Sequence, residues 1–274
     1  MTLKNVLIEL KTRDFIIENL NINELVNEML SNIGTLDFEL RDDLIHIGFE
    51  NLIANGSITD LKMKEILKIC LDNNHLFYKI GEDDKHAIYT RSFSLLLIPQ
   101  LLDRNLKSPF LDKIDIKLIK EKLVEYANKE SNFSGYSIKY GWAHAAAHLA
   151  DSLEALLKYP IDTVDTNDIL DIIKKMVKID KIVYQYLEEE RLIRPFMSIL
   201  KKNVLEVKLV LNWLHDLSEW EPKENWNLEF TVLYNVRNFF SSLYFIIKDS
   251  NIPNKELLLI NIEDIIKKIM GNYR

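Results

Sequence analysis

Gly135–Tyr159 reads GYSIKYGWAHAAAHLADSLEALLKY, and the rest of the chain is best understood outward from it. The spacing predicts a helix over about Tyr140–Tyr159, stopped by Pro160. On such a helix His144, His148 and Asp151 stand at i, i+4 and i+7, within an arc of roughly 60°. Trp142, Ala146, Leu149, Leu153 and Leu156 form a second stripe about 180° away, the face expected to enter a core. Ala143, Ala145, Ala147 and Ala150 leave little side-chain bulk between the two faces. They suit tight packing on another helix, or the close approach of a ligand.

Periodicity of the same kind recurs along the whole chain. Apolar residues at helical spacing predict helices over Thr2–Glu18, Asn23–Ile33, Asp37–Ala54 and from Thr59 to about Asn73. They predict others over Tyr89–Leu102, with Pro99 a potential kink, and over Asp112–Lys129. Beyond the central segment follow Asn167–Ile179, Ile182–Ile193, Val204–Trp220, Phe230–Ile247 and Lys255–Met270. Lys79–Lys85 and Glu221–Trp226 read as loop and turn. No stretch alternates convincingly at period two. Paired helices at very roughly forty-residue spacing are the layout of helical repeats. The expected fold is therefore all-α: an irregular HEAT-like array of helical hairpins (an α-solenoid), forming one domain over residues 1–274.

Composition narrows the class. The 274 residues are 47% hydrophobic and 28% charged, enough for a large core and too apolar for disorder. Only seven glycines and six prolines argue against a turn-rich β protein. A net charge of −7, with lysines scattered among acids, gives no basic stripe for nucleic acid or anionic lipid. The single cysteine, Cys70, has no internal disulfide partner and reads as a small buried residue of a reducing compartment. The N-terminus carries charges at helical spacing, unlike a signal peptide, and the apolar run Leu95–Ile98 ends at Pro99, far short of a membrane span. The expectation is a cytoplasmic protein that binds no membrane.

Several residues could carry chemistry. Two histidines at i, i+4 can share a divalent metal, with Asp151 as third ligand or as the acceptor that orients an imidazole. His144, His148 and Asp151 are the metal candidates, although the glutamate that zinc peptidases place beside the first histidine is missing. The competing reading is a hydrogen-bonded polar face lining a groove. Tyr136 and Trp142 complete the ligand-binding candidates of this segment. Arg91, a charge inside the apolar run YTRSFSLLL, could grip a carboxylate or phosphate, or pair with an acidic neighbour. Glu190 and Arg191, in EEER, join the candidates; the bland alternative is a solvated ion-paired face. Asp37, Arg41 and Asp42 read as a capped and paired helix start. The aromatic C-terminal third, Trp213, Trp220, Trp226, Tyr234, Phe239, Phe240 and Tyr244, reads as core. There is no phosphate loop, no nucleophile elbow and no cysteine beside a base.

GWAHAAAHLADSL, with LSNIGTLDFELRDD, YTRSFSLLL, EEERL and NVRNFFSSLYF in the same order, resembles the family called domain of unknown function 2785, from about Leu30 to Tyr244. The resemblance implies a helical, cytoplasmic protein mainly of Gram-positive bacteria, and it carries no catalytic residue over. The family pattern has an arginine before the Gly-Tyr pair where this chain has Ser134. Three functional readings follow. First stands a binding module that holds a peptide, protein or small ligand in a groove around His144, His148 and Asp151. A metal-dependent hydrolase or related enzyme is the alternative, so enzymatic activity stays open. A nucleic-acid-binding helical repeat comes last.

Overall fold

In the computed structural model, which describes residues 1–160, 163–223 and 225–271, the chain is all-α. Among those residues are twelve α-helices, one π-helical segment and a single two-stranded hairpin. They gather into two compact units, Met1–Leu156 and Leu157–Arg274.

The first unit is organised around α5, Ala87–Lys107. A helix this apolar on every side must be covered on every side. It is packed by α3 (Ile47–Ala54), α4 (Asp60–Cys70), α7 (Ala145–Leu156) and the π-helical segment Glu39–His46. α1 (Leu3–Lys11) and α2 (Ile22–Ser31) complete one end, and α6 (Lys113–Lys129) packs on α7. Local chemistry sets the helix starts. The side chains of Thr2, Asn21 and Thr59 accept first-turn backbone N–H groups of α1, α2 and α4. Asp112 and Asp115 form a reciprocal capping box at α6.

α5 does not break at Pro99, where the sequence suggested a kink. Proline has no N–H, so the carbonyl four residues earlier, that of Leu95, loses its donor within the helix. Ser152 of α7 stands in: its hydroxyl lies 3.1 Å from the Leu95 oxygen and 2.9 Å from the His148 oxygen. The His148 carbonyl already faces the N–H one turn on, so the single hydroxyl proton is best used on Leu95.

The second unit holds α8 (Thr163–Val177), α9 (Glu188–Lys202), α10 (Val207–Leu217), α11 (Trp226–Lys248) and α12 (Lys255–Gly271). α9 packs on α8 and α11, and α12 on α10 and α11. Trp213 lies parallel to Phe196, centroids 4.8 Å apart, and donates its indole N–H to the Leu170 carbonyl. The buried Asn235 amide holds the segment before α9, accepting from the Tyr184 N–H and donating to the Ile179 and Ile182 carbonyls.

Several sequence expectations need correction. Thr2–Glu18 is helical only to Lys11; the chain turns through left-handed Asp14 and Phe15. Ile182–Ile193 is helical only from Glu188 onward. α9 starts at Glu188, after left-handed Leu187, and runs through Pro195 to Lys202. The aromatic C-terminal third is only partly core: Phe239, Phe240 and Trp213 are buried, whereas Trp226 and Tyr234 are exposed. Position 224, inside the expected turn Glu221–Trp226, lies outside the described residues.

Candidate functional site

The central segment is not one helix. Tyr136–Ser137 and Gly141–Trp142 pair as an antiparallel hairpin, and α7 begins only at Ala145. His144 is therefore not a helical residue one turn before His148. It sits in the left-handed region, φ 48°, at the junction of hairpin and helix, and its carbonyl accepts the His148 N–H at 2.9 Å. The physical reason is Gly141, at φ +73°, a conformation that L residues rarely adopt. A Cβ there would come 2.7 Å from the Phe38 Cβ and 2.8 Å from the Asp42 Oδ2. The sequence held a trace of this, because Tyr136, Ile138, Tyr140 and Trp142 recur at period two, the strand period.

Two buried arginines hold this excursion. At its entry Arg91 forks onto Glu130, Nε to Oε2 at 2.6 Å and Nη2 to Oε1 at 3.0 Å, while Nη1 donates to the Tyr78 carbonyl at 2.9 Å. Glu130 Oε1 also accepts the N–H groups of Ser131 and Asn132. Of the two readings open for Arg91, the structure thus shows the pair with an acidic neighbour.

At the return stands Arg41, fully buried. It donates to the carbonyls of Thr35 (2.6 Å), Tyr140 (2.6 Å) and Trp142 (3.3 Å). Its Nε lies 2.8 Å from Asp42 Oδ1, and Asp42 Oδ2 accepts the Trp142 N–H at 3.3 Å. The guanidinium carbon sits 4.3 Å from the Tyr89 ring centroid and 4.7 Å from that of Phe93, a cation–π pair of contacts. Burial lowers the Arg41 pKa and raises that of Asp42, each against the opposing pull of the other. Desolvation thus outweighs attraction for both partners, and the pair by itself is no source of stability. What it provides is a fixed position for the hairpin.

The hairpin carries a run of rings. Tyr136 packs against Trp142 with centroids 4.7 Å apart, Trp142 against His144 at 4.2 Å, and His144 meets His148 edge-on at 6.0 Å. His148 meets Phe93 edge-on at 5.6 Å. Exposure falls along the run. Tyr136 and Trp142 are half-exposed, His144 is intermediate, and His148 is buried against α5. The His148 Nδ1 lies 3.0 Å from the Ser92 carbonyl oxygen, which can only accept, so Nδ1 carries the proton of this contact. Trp142, expected in the core stripe, is turned outward with the hairpin. Ala145, Ala146, Ala147 and Ala150 are fully buried, and α7 packs on α5, so these alanines serve close helix packing.

The remaining candidates are placed as follows. Asp151 is half-buried on α7. Among the described residues no three His, Cys, Asp or Glu side chains gather as a metal ion requires. The His144, His148 and Asp151 arrangement therefore does not fit a three-ligand metal centre. Glu190, exposed, and Arg191, half-buried, lie in the first turn of α9 in the second unit. Sequence reasoning gave Arg41 and Asp42 little functional weight and passed over Glu130 and Ser152. The contacts that tie them to the hairpin and to α5 span 39 to 101 residues, so no local pattern marks them.

No helix among the described residues is long and apolar enough to cross a membrane. No curated protein and no solved structure matches the chain. The family model that does match covers residues 76–245, which include α5, the hairpin and α7 but leave Arg41 and LSNIGTLDFELRDD outside. The chain belongs to the family described as protein of unknown function (DUF2785).

Proposed function

We propose that the chain is a binding module whose recognition surface is the aromatic hairpin, Tyr136 and Trp142 backed by His144, and whose ligand is a peptide segment of a partner. One observation carries this reading. A buried arginine, costly to desolvate, is committed to the carbonyls of Tyr140 and Trp142, and what it holds in place is a pair of half-exposed aromatic rings. Tyr and Trp dominate binding hot spots because they offer large contact areas at little rotamer cost. Fixing them beforehand lowers the entropy lost on binding. Ile138, 93% exposed at the hairpin tip, and half-exposed Phe38, whose Cβ lies close to Gly141, extend the same apolar surface.

The wider reading is a HEAT-like helical array in the bacterial cytoplasm. Packing between sequential neighbours, such as α8 with α9 and α11 with α12, supports the array. The single cysteine, buried, supports a reducing compartment. A metal-dependent hydrolase ranks below binding because no three-ligand set among the described residues supports it. Nucleic acid is not the expected partner of a chain of net charge −7.

Panning a random linear-peptide library on the full-length chain, with Trp142→Ala as counter-target, tests the proposal. Enriched peptides that bind the wild type and not the variant are expected. Peptides that bind both equally would remove the hairpin from the reading.

A further inference from the structure

Outside the hairpin, the largest run of exposed aromatic surface among the described residues lies along α11. Trp226 is 71%, Phe230 44%, Tyr234 51% and Phe245 63% exposed. At 100° per residue these four, with Arg237, Ser241 and Tyr244, fall within one arc of about 100°. The face is thus a single stripe roughly 28 Å long. The opposite side of α11, Val232, Val236, Phe239, Phe240 and Leu243, is buried in the second unit. An exposed apolar stripe of this length on an otherwise satisfied helix marks an interface.

The stripe is complementary to itself when reversed. In an antiparallel helix pair, residue i of one copy faces residue j of the other with i + j constant. Setting Trp226 against Phe245 also sets Phe230 against Ser241 and Tyr234 against Arg237, on the same face and in the same register. Each pairing is chemically sensible. The large Phe230 ring meets the small Ser241. Arg237, half-buried and with no ion pair among the described residues, meets the ring of Tyr234 as a cation does. Trp226 meets a shallow concavity of about 370 Å³ between α11 and α12, lined by Tyr244, Phe245, Ile266 and Lys267 among others.

We infer that the chain forms a two-fold symmetric homodimer through α11, packed antiparallel against α11 of a second copy. The four rings supply a large share of the area that a stable dimer needs. At about 200 Å² for a whole aromatic side chain, the exposed parts of the four rings alone supply roughly 450 Å² per copy. A standard interface takes about 800 Å² from each partner, and these rings provide more than half of it before their neighbours are counted. An interface of this kind is isologous, so each pairing occurs twice.

The test uses the full-length chain. Sedimentation equilibrium over a range of concentrations should show a monomer–dimer equilibrium. Phe245→Glu, at an exposed position, should leave the circular dichroism spectrum unchanged, match the wild-type melting temperature at concentrations where both are monomeric, and weaken the dimer by about 100-fold or more. The register has its own readout. Phe230→Cys with Ser241→Cys should give an intermolecular disulfide on mild oxidation. Neither single variant should, because identical residues would stand about 16 Å apart along the axis. Cys70 does not confuse the result, since it is buried and its thiol pKa is pushed far up by burial. A monomer at all concentrations would overturn the inference. So would a dimer indifferent to Phe245→Glu, or a double variant that fails to cross-link. A monomer that instead binds anionic phospholipid vesicles through Phe245 would assign the stripe to a membrane surface and overturn it equally.

Discussion

Replacing Ser152 with alanine removes one oxygen atom, yet the structure gives that atom a definite task. Pro99 denies the Leu95 carbonyl its helical donor, and the Ser152 hydroxyl supplies one at 3.1 Å across the α5–α7 contact. Both residues are fully buried, so water cannot replace the hydroxyl. Stranding a buried carbonyl costs about 1–3 kcal/mol, and the small void adds little to that. Ser152→Ala should therefore lower stability by roughly that amount. Urea unfolding of the full-length chain by far-ultraviolet circular dichroism would measure it, with hydrogen exchange in α5 as a local check. The decisive comparison is a double-mutant cycle with Pro99→Ala. Alanine at 99 restores an N–H to the Leu95 carbonyl, so the hydroxyl becomes redundant. In that background Ser152→Ala should cost about 0.5 kcal/mol or less, leaving a coupling near 1 kcal/mol or above. Additive effects, equal within about 0.3–0.5 kcal/mol in both backgrounds, would refute the reasoning.

Other consequences can be checked alongside. Arg41→Met leaves the Thr35, Tyr140 and Trp142 carbonyls and the Asp42 carboxylate without their buried donor. It should cost about 3–5 kcal/mol and speed hydrogen exchange in the hairpin before the rest of the first unit. Gly141→Ala should be worse than Gly56→Ala. Both have positive φ, but only at 141 would the new Cβ collide with neighbours, so melting temperatures of the two variants separate the clash from the shared backbone strain. Burial raises the Glu189 pKa, with Glu188 and Glu190 adding repulsion. The folded state then holds its proton more tightly than the unfolded state. Stability from this group is present at low pH and falls as pH rises past 4.5 toward the raised value. Glu189→Gln should thus raise the melting temperature at pH 7 and leave it unchanged at pH 4; a gain of equal size at both would refute the assignment. Asp84, held down to about 2 by Lys79 and by the backbone N–H groups of His86 and Ala87, behaves oppositely: its contribution is present above pH 3.8 and lost as pH falls toward 2. A titration of the Asp84 carboxyl by NMR should find that midpoint, and Lys79→Met should raise it.

The all-α class was legible because helical periodicity is local and repeats in almost every segment. Helix starts were legible for the same reason: the helix expected from Thr59 begins there, with the Thr59 side chain accepting the Lys62 N–H, and the helix expected over Asp112–Lys129 is α6. The candidate site was misread at one residue. Treating Gly141 as one more helical position put His144 on the same helical face as His148, whereas the glycine turns the chain and releases Tyr136–Trp142 as a hairpin. The strand-period aromatics were present but too few, with strands two residues long, to compete with twelve residues of helical signal. Arg41 was illegible for a different reason. Its sequence neighbours suggest a helix start, and Asp37 does cap there, donated to by the Leu40 N–H. The carbonyls that Arg41 serves lie about a hundred residues downstream, and only the folded chain brings them to it. Exposure of Trp226 and Tyr234 was equally invisible, since an aromatic stripe at helical spacing has the same pattern whether it faces a core or a partner.

The claim that matters most is that the hairpin, held by Arg41, is where a ligand lands. The chain has four tryptophans, which makes it suitable for 5-fluorotryptophan labelling and fluorine NMR. Trp142 lies on the hairpin, Trp213 is buried, and Trp226 is on the exposed face of α11. With resonances assigned by single Trp→Phe variants, a peptide selected by panning on the wild type is titrated into the labelled full-length protein. The account predicts that the Trp142 resonance shifts with the binding isotherm while Trp213 and Trp226 stay in place. A Trp142 resonance that does not move while the peptide binds, with Trp226 shifting in its stead, would contradict it.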